Sequence, residues 1–274
     1  MGGRCRGPVV IRLIGVDLDW TFVHPSQGVP ASAWQAVEEA KAAGMRFAVV
    51  TGRPFGGYGL EYALKMEPQG YHAFSNGSLI TQGATLVHSV AMSPSTYRRM
   101  VLHSRAQGLP FYVSGASGRL YSENPPRELH RFAERMGVSY QRIDLLELPE
   151  PCVGGVFVLD GQLWNDLRQA ITAVEGLDWL EYLVGEGEVV AVADPKGTSK
   201  ASALRWMAER YGLAMEEVAM IGDSLNDLEA IKQVGLGIAM GNAEEVVREA
   251  ASVVVAGLEE DGFAQAVRLC LARR

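Results

Sequence analysis

Three shortages bound what this chain can be. Cysteine is scarce: Cys5, Cys152 and Cys270 lie far apart with no CxxC pair, which excludes a disulfide framework and a cysteine zinc site. No uninterrupted apolar run approaches the ~20 residues that a bilayer-spanning helix needs. Blocks of lysine and arginine are missing, and the formal net charge is −7, so electrostatically driven nucleic-acid binding is not expected. The basic start, with Arg4 and Arg6, lacks the apolar stretch and small-residue cleavage site of a secretory signal. The expectation is a soluble, reduced, cytoplasmic protein, a monomer or weak homodimer, with no nucleic-acid or membrane partner.

What remains is ample apolar material. Over 274 residues, 48% are hydrophobic and 21% charged, enough for a sizeable core in one large domain or two modest ones. Three segments repeat one pattern: an apolar run, a polar turn, then a helical stretch. They are Val9 to Val16 ahead of Asp17-Leu18-Asp19-Trp20-Thr21, Arg46 to Val50 ahead of Thr51-Gly52-Arg53, and Val218 to Ile221 ahead of Gly222-Asp223-Ser224. Continuous apolar runs suit strands buried on both faces of a parallel sheet. Gly235 to Met240 and Ser252 to Val255 extend the same series. The rhythm is that of a doubly wound α/β fold with a mainly parallel, Rossmann-like core sheet.

The middle of the chain differs. Strand-like runs (Leu86 to Met92, Leu109 to Ser114, Cys152 to Leu159, Glu188 to Ala193) flank helical stretches near Ser95 to Gln107, Arg127 to Met136 and Leu163 to Val174, and Gly and Pro interrupt the region more often. We read an α+β cap at 83–190 inserted into a core formed by 1–82 and 191–274.

The chemistry concentrates at the strand ends. Asp17 and Asp19, two apart, project to one side if the chain stays extended, at the carboxyl edge where open parallel sheets bind ligands. Such a pair can hold a hard divalent cation or divide labour as nucleophile and proton donor; it can also merely cap a helix or start a turn. Asp223 and Asp227 flank Asn226, and an ordinary helix cap is again the alternative. Asn226 can bridge a phosphate or orient a carboxylate. Thr51, Gly52 and the following amides make a phosphate cradle, whereas Arg53 either contacts substrate or pairs with an acid. Each piece is weak alone, but a parallel sheet brings all three strand ends to one edge.

In this order the motifs resemble the haloacid dehalogenase superfamily of phosphatases, in its Cof-type branch with a class IIB cap. Asp17-Leu18-Asp19-Trp20-Thr21 looks like the family's DxDGT, Thr51-Gly52-Arg53 its second motif, and Gly222 to Asp227 its GDxxND; Ser75-Asn76-Gly77, Gly241-Asn242-Ala243 and Glu260-Asp261-Gly262 agree as well. The third motif is a lysine. Gly197-Thr198-Ser199-Lys200 fits its register, and Lys196 is the rival. The resemblance implies a Mg2+-dependent phosphomonoesterase for a small phosphorylated metabolite such as a sugar phosphate. Asp17 would be nucleophile and Asp19 acid/base; Thr51, Gly52, Arg53, Lys200 and Asn226 would bind the phosphate. Asp17, Asp19 (through its main-chain carbonyl) and Asp223 would ligate the metal, with Asp227 ligating through water or holding Lys200. A phosphotransferase or mutase of the same fold, or a non-catalytic phosphometabolite sensor, are the alternatives.

One departure stands out: Trp20 replaces the motif's glycine. The turn either forces a conformation costly for Trp or is ordinary, with the indole walling the pocket; the ordinary backbone is the expectation. His24, on the loop after the first motif, is a further candidate for substrate contact. The string Gly235-x-Gly237-x-x-x-Gly241 raises a dinucleotide-binding oxidoreductase, but it falls within and around a strand rather than after one.

Overall fold

The structure is a computed structural model, which describes residues 10–125, 127–184 and 187–273. Along the chain, β1 (Leu13–Val16), α1 (Ala31–Ala42), β2 (Arg46–Val49), α2 (Gly57–Met66), β3 (Tyr71–Phe74), β4 (Leu79–Gln82) and β5 (Thr85–Ser89) come first. There follow α3 (Pro94–Gln107), β6 (Phe111–Gly115), β7 (Leu120–Ser122), α4 (Arg127–Met136), β8 (Tyr140–Arg142), β9 (Cys152–Asp160), α5 (Gly161–Thr172), β10 (Leu177–Val184) and β11 (Glu188–Pro195). The chain ends with α6 (Lys200–Tyr211), β12 (Val218–Gly222), α7 (Leu228–Gln233), β13 (Leu236–Ala239), α8 (Glu245–Ala250), β14 (Val253–Val254) and α9 (Gly262–Leu271).

The five-stranded sheet runs β14-β13-β12-β1-β2 and is parallel throughout. Its strands read as apolar runs because both faces are covered. Ile14, Val16, Phe47, Val49, Ala219, Ile221, Leu236 and Ile238 pack with α1, α2 and α9. Their neighbours Leu13, Ala48, Val50, Val218, Met220 and Ala239 pack with α6, α7 and α8. That alternation is the two-residue period of extended chain. Gly237 belongs to the second face: a Cβ there would stand 2.2 Å from the Ile231 carbonyl oxygen. Close packing thus accounts for the glycine that had raised a dinucleotide site.

A three-stranded antiparallel sheet, β3-β4-β5, adjoins β2 through a bridge between Val50 and Ala73. The third sheet, β10-β11-β9-β6-β7-β8, is antiparallel except for β7 with β8. Its helix-covered face buries Phe111, Val113, Phe157, Leu159, Leu177 and Ala191. β1 is shorter than expected and begins at Leu13, while Val9 lies outside the described residues. Ile11 instead donates its N–H to the Arg273 carbonyl, tying that stretch to the end of the chain. The run expected to continue to Met92 leaves its sheet at Ser89, because Met92 pairs with Cys152.

Candidate active site

β1, β2 and β12 end side by side, since Val16 pairs with both Ile221 and Val49. The residues that follow therefore share one edge. Asp17 is buried there, its N–H held by the Ile221 carbonyl at 3.0 Å. Lys200, the first residue of α6, is only 1% exposed. Its Nζ donates to Asp17 Oδ1 at 2.6 Å and Asp227 Oδ1 at 2.7 Å. The other oxygen of Asp227 accepts the N–H groups of Asp223 and Ser224, both at 3.1 Å. Asp227 thus holds Lys200 and pins the loop carrying Asp223. Lys196, the other lysine considered, is exposed on the preceding loop. Neither Asp17 nor Asp19 caps a helix, since α1 starts only at Ala31, behind Pro30.

Asp17, Asp223 and Asp227 bring one carboxylate oxygen each within 4.8 Å of one another. Three clustered acids face one ammonium, which bonds two of them, so like charges crowd a buried place. Burial accordingly raises the Asp17 carboxyl well above its ordinary range; Lys200 opposes that and the charges of Asp227 and Asp223 add to it. Asp223 is pushed up to about 7 by burial and then by Asp227, against the hydroxyl of Thr21, which donates to its Oδ1 at 2.6 Å. Burial alone would lower Lys200, but Asp17 and Asp227 outweigh it and raise it. An oxygen-only set of carboxylates suits a hard divalent cation.

The carboxylate of Asp19 stands outside that trio. It is 42% exposed and takes two bonds of 2.9 Å from Arg53, through Nε and Nη2. Of the two options for Arg53, pairing with an acid is the one observed. Burial would lower the guanidinium, but its bonds to Asp19 raise it. Thr51 is buried, its Oγ1 accepting the Arg53 N–H at 3.2 Å. Gly52 beside it is exposed, and a Cβ there would lie 2.9 Å from Asn76 Oδ1 and 3.4 Å from Asn226 Nδ2. Its missing side chain leaves the main chain open to a ligand.

Trp20 corrects an expectation. Its φ is +59°, so the backbone is left-handed and not ordinary, at a cost of roughly 1–2 kcal/mol for a residue with a Cβ. Three contacts impose it: the Trp20 N–H bonds to the Val23 carbonyl, Asn242 Nδ2 donates to the Trp20 carbonyl at 3.0 Å, and His24 packs edge-on at 5.1 Å. The indole remains 46% exposed. The second candidate on this loop, His24, is buried and engaged by Glu259 and Ser26.

Three polar residues here carried no assigned role in the sequence. Thr21 holds Asp223. Asn76 lies in a tight turn after β3 with φ +52°, donating to Asp194 Oδ2 at 2.9 Å and accepting from Asn226 Nδ2 at 3.0 Å. Asp194, at the end of β11, is buried and pushed up to about 7 by that burial, opposed by the Asn76 amide and reinforced by Asp178. The signal for Asp194 was available: it is an acid ending an apolar strand, as Asp17 and Asp223 are.

The doubly wound core thus gathers three buried aspartates and a buried lysine at one sheet edge, beside the open main chain of Gly52. A family profile described as haloacid dehalogenase-like hydrolase matches residues 14–267, and the chain belongs to that family. It is a phosphatase of the Cof-type branch, a phosphoric monoester hydrolase. Among curated relatives, a 5-amino-6-(5-phospho-D-ribitylamino)uracil phosphatase of Bacillus subtilis is 27% identical over 264 residues, covering 96% of this chain and 97% of its own. An HMP-PP phosphatase of Cronobacter sakazakii is 27% identical over 250 residues, 85% of each chain. Among solved structures, a haloacid dehalogenase-like hydrolase from Bacteroides thetaiotaomicron superposes with a TM-score of 0.81 at 24% identity, over 94% of this chain and 99% of that one. A subclass IIB sugar phosphatase superposes with the same TM-score of 0.81 at 20% identity, over 96% and 100%.

Proposed function

We propose that the protein is a Mg2+-dependent phosphomonoesterase of small phosphorylated metabolites that works through a phosphoryl group carried on Asp17. The observation that carries this is the meeting of Asp17, Asp223 and Asp227, with Lys200 bonded to Asp17 and Asp227. Asp17, Asp223 and the main-chain carbonyl of Asp19 would hold Mg2+, which supplies positive charge to the phosphoryl oxygens when bound. A carboxylate oxygen of Asp17 forms a bond to phosphorus as the bond to the leaving oxygen breaks, and Asp19 gives its proton to that oxygen. Water then forms a bond to phosphorus, the Asp17–phosphorus bond breaks, and Asp19 regains a proton from the water. Arg53 occupies both oxygens of Asp19 before substrate binds, so Asp19 would leave that pair and take up a proton before giving it to the leaving oxygen. Thr51, Gly52, Lys200 and Asn226 cradle the phosphoryl group, whose transfer depends mainly on positioning and charge neutralisation.

Residues 83–190 act as a lid over that edge. Two contacts support this: a Cβ on Gly118 would stand 1.6 Å from the Phe55 carbonyl oxygen, and one on Gly57 would stand 2.2 Å from that of Met136. The relatives' substrates, a phosphoribitylaminouracil, HMP-PP and a sugar phosphate, agree with a small phosphorylated organic molecule. We read the protein as cytoplasmic, a monomer or weak homodimer, and independent of nucleic acid and membranes; no described helix is long and apolar enough to cross one. Phosphate release from a panel of phosphorylated metabolites tests the reading. Release in Mg2+ should vanish with chelator and in Asp17→Asn, whereas substantial turnover by that variant would reject Asp17 as nucleophile.

A further inference from the structure

A chain of side chains runs from the end of β11 to the phosphate cradle. Asp194 Oδ2 accepts from Asn76 Nδ2, Asn76 Oδ1 accepts from Asn226 Nδ2, and Asn226 Oδ1 accepts from Ser224 Oγ at 2.9 Å. The links are far apart in sequence, 118 residues for the first and 150 for the second, so they bring three loops together. The chain has a direction. An amide can present either its oxygen or its nitrogen, and a wrong choice in a buried site is costly. An ionised carboxylate only accepts. Asp194 at one end therefore makes Asn76 turn its nitrogen outward and its oxygen inward, which makes Asn226 present its nitrogen.

One N–H of Asn226 is used by Asn76. Its Nδ2 stands beside Gly52, 3.4 Å from where a Cβ would be, so the second N–H is available at the open main chain of the cradle. Reversed, Asn226 would aim an oxygen at a phosphate oxygen, and the contact would repel.

We propose that Asp194 is a positioning residue that sets the polarity of the Asn76–Asn226 pair so that Asn226 donates to the phosphoryl group. This rests on the reading that Thr51, Gly52 and Asn226 form the phosphate cradle. Asp194 does not touch the reacting atoms; it acts through Asn76. Its effect belongs to phosphate affinity, because an amide donor to a phosphoryl oxygen operates in ground state and transition state alike.

The test uses the Mg2+-loaded protein at pH 8, with inorganic phosphate as competitive inhibitor and an accepted phosphate ester as substrate. Asp194→Ala should weaken phosphate inhibition and raise KM, each by about tenfold, with kcat changed less. Asp194→Asn can turn its own nitrogen toward Asn76, so it no longer fixes the direction and should weaken phosphate inhibition and raise KM toward the level of Asp194→Ala. Asn76→Gly tolerates the left-handed backbone and deletes the middle link, so it should match Asp194→Ala and serves where that variant does not fold. An active wild type whose phosphate inhibition survives both deletions overturns the relay and leaves the cradle standing. Asp194→Asn matching wild type while Asp194→Ala weakens phosphate inhibition overturns it too, because a group that can donate would then serve as well as one that only accepts. A wild type that neither hydrolyses esters nor binds phosphate overturns the cradle, and the relay with it.

Discussion

The two large sheets treat charge in opposite ways. At the carboxyl edge of the parallel sheet, Lys200 is sealed between Asp17 and Asp227 with no solvent on its side chain. On the six-stranded sheet's side of the molecule, Arg105 meets Glu123 and Asp144 with a third of its side chain in water. Exposed pairs are screened and contribute little, while a buried pair is costly to assemble and worse to break. The contrast separates a charge cluster sealed at a sheet edge from one that decorates a surface.

Breaking each side in turn sharpens that contrast. Lys200→Met should reduce phosphate release by more than about a hundredfold and lower metal-free stability by about 3 kcal/mol. Arg105→Met should leave turnover unchanged, and denaturant titration alongside a phosphate assay reads both. An Arg105 variant as damaging as the Lys200 variant would erase the distinction.

Asp194 gives the comparison a pH dimension. Its carboxyl ionises near 3.8 when solvated and at about 7 in the fold, so the folded state holds the proton more tightly. Its contribution to stability is therefore complete below about pH 4, shrinks as pH rises, and is gone above about 7. Between pH 4 and 8, Asp194→Asn should gain on wild type by at most about 4 kcal/mol. Parallel stability curves across that range would refute the assignment.

The smallest effect concerns Trp20. Trp20→Gly relieves the left-handed backbone and should stabilise by no more than about 1 kcal/mol, since glycine also loosens the unfolded chain. If the indole narrows the pocket, its removal should also shift the profile over a panel of sugar phosphates; an unchanged profile assigns Trp20 no part in selection.

Much of the site was legible because it is written locally. Asp17, Asp19, Thr51, Gly52, Asp223 and Asp227 each follow an apolar strand, and a parallel sheet leaves its strand ends little choice of edge. α4 matched its expected span of Arg127–Met136, a segment bounded by prolines and a glycine. What stayed hidden depends on contacts across the chain. No local pattern says that Asn76 meets both Asp194 and Asn226, or that Asn242 bends the backbone at Trp20 by bonding its carbonyl. β3, β7 and β8 are too short for a periodic signal. β10 carries Asp178 and Glu181 among its apolar residues, which blurs its alternation; Glu181 proves to be occupied by Trp164 and Arg168.

The covalent step is the most direct place to test the whole account. Acid quenching during turnover in Mg2+, followed by proteolysis and mass spectrometry, should find a phosphoryl group on the peptide that holds Asp17, at residue 17, and none in Asp17→Asn. A wild-type enzyme turning over at full rate with residue 17 never phosphorylated, or with the group on another residue, would contradict it.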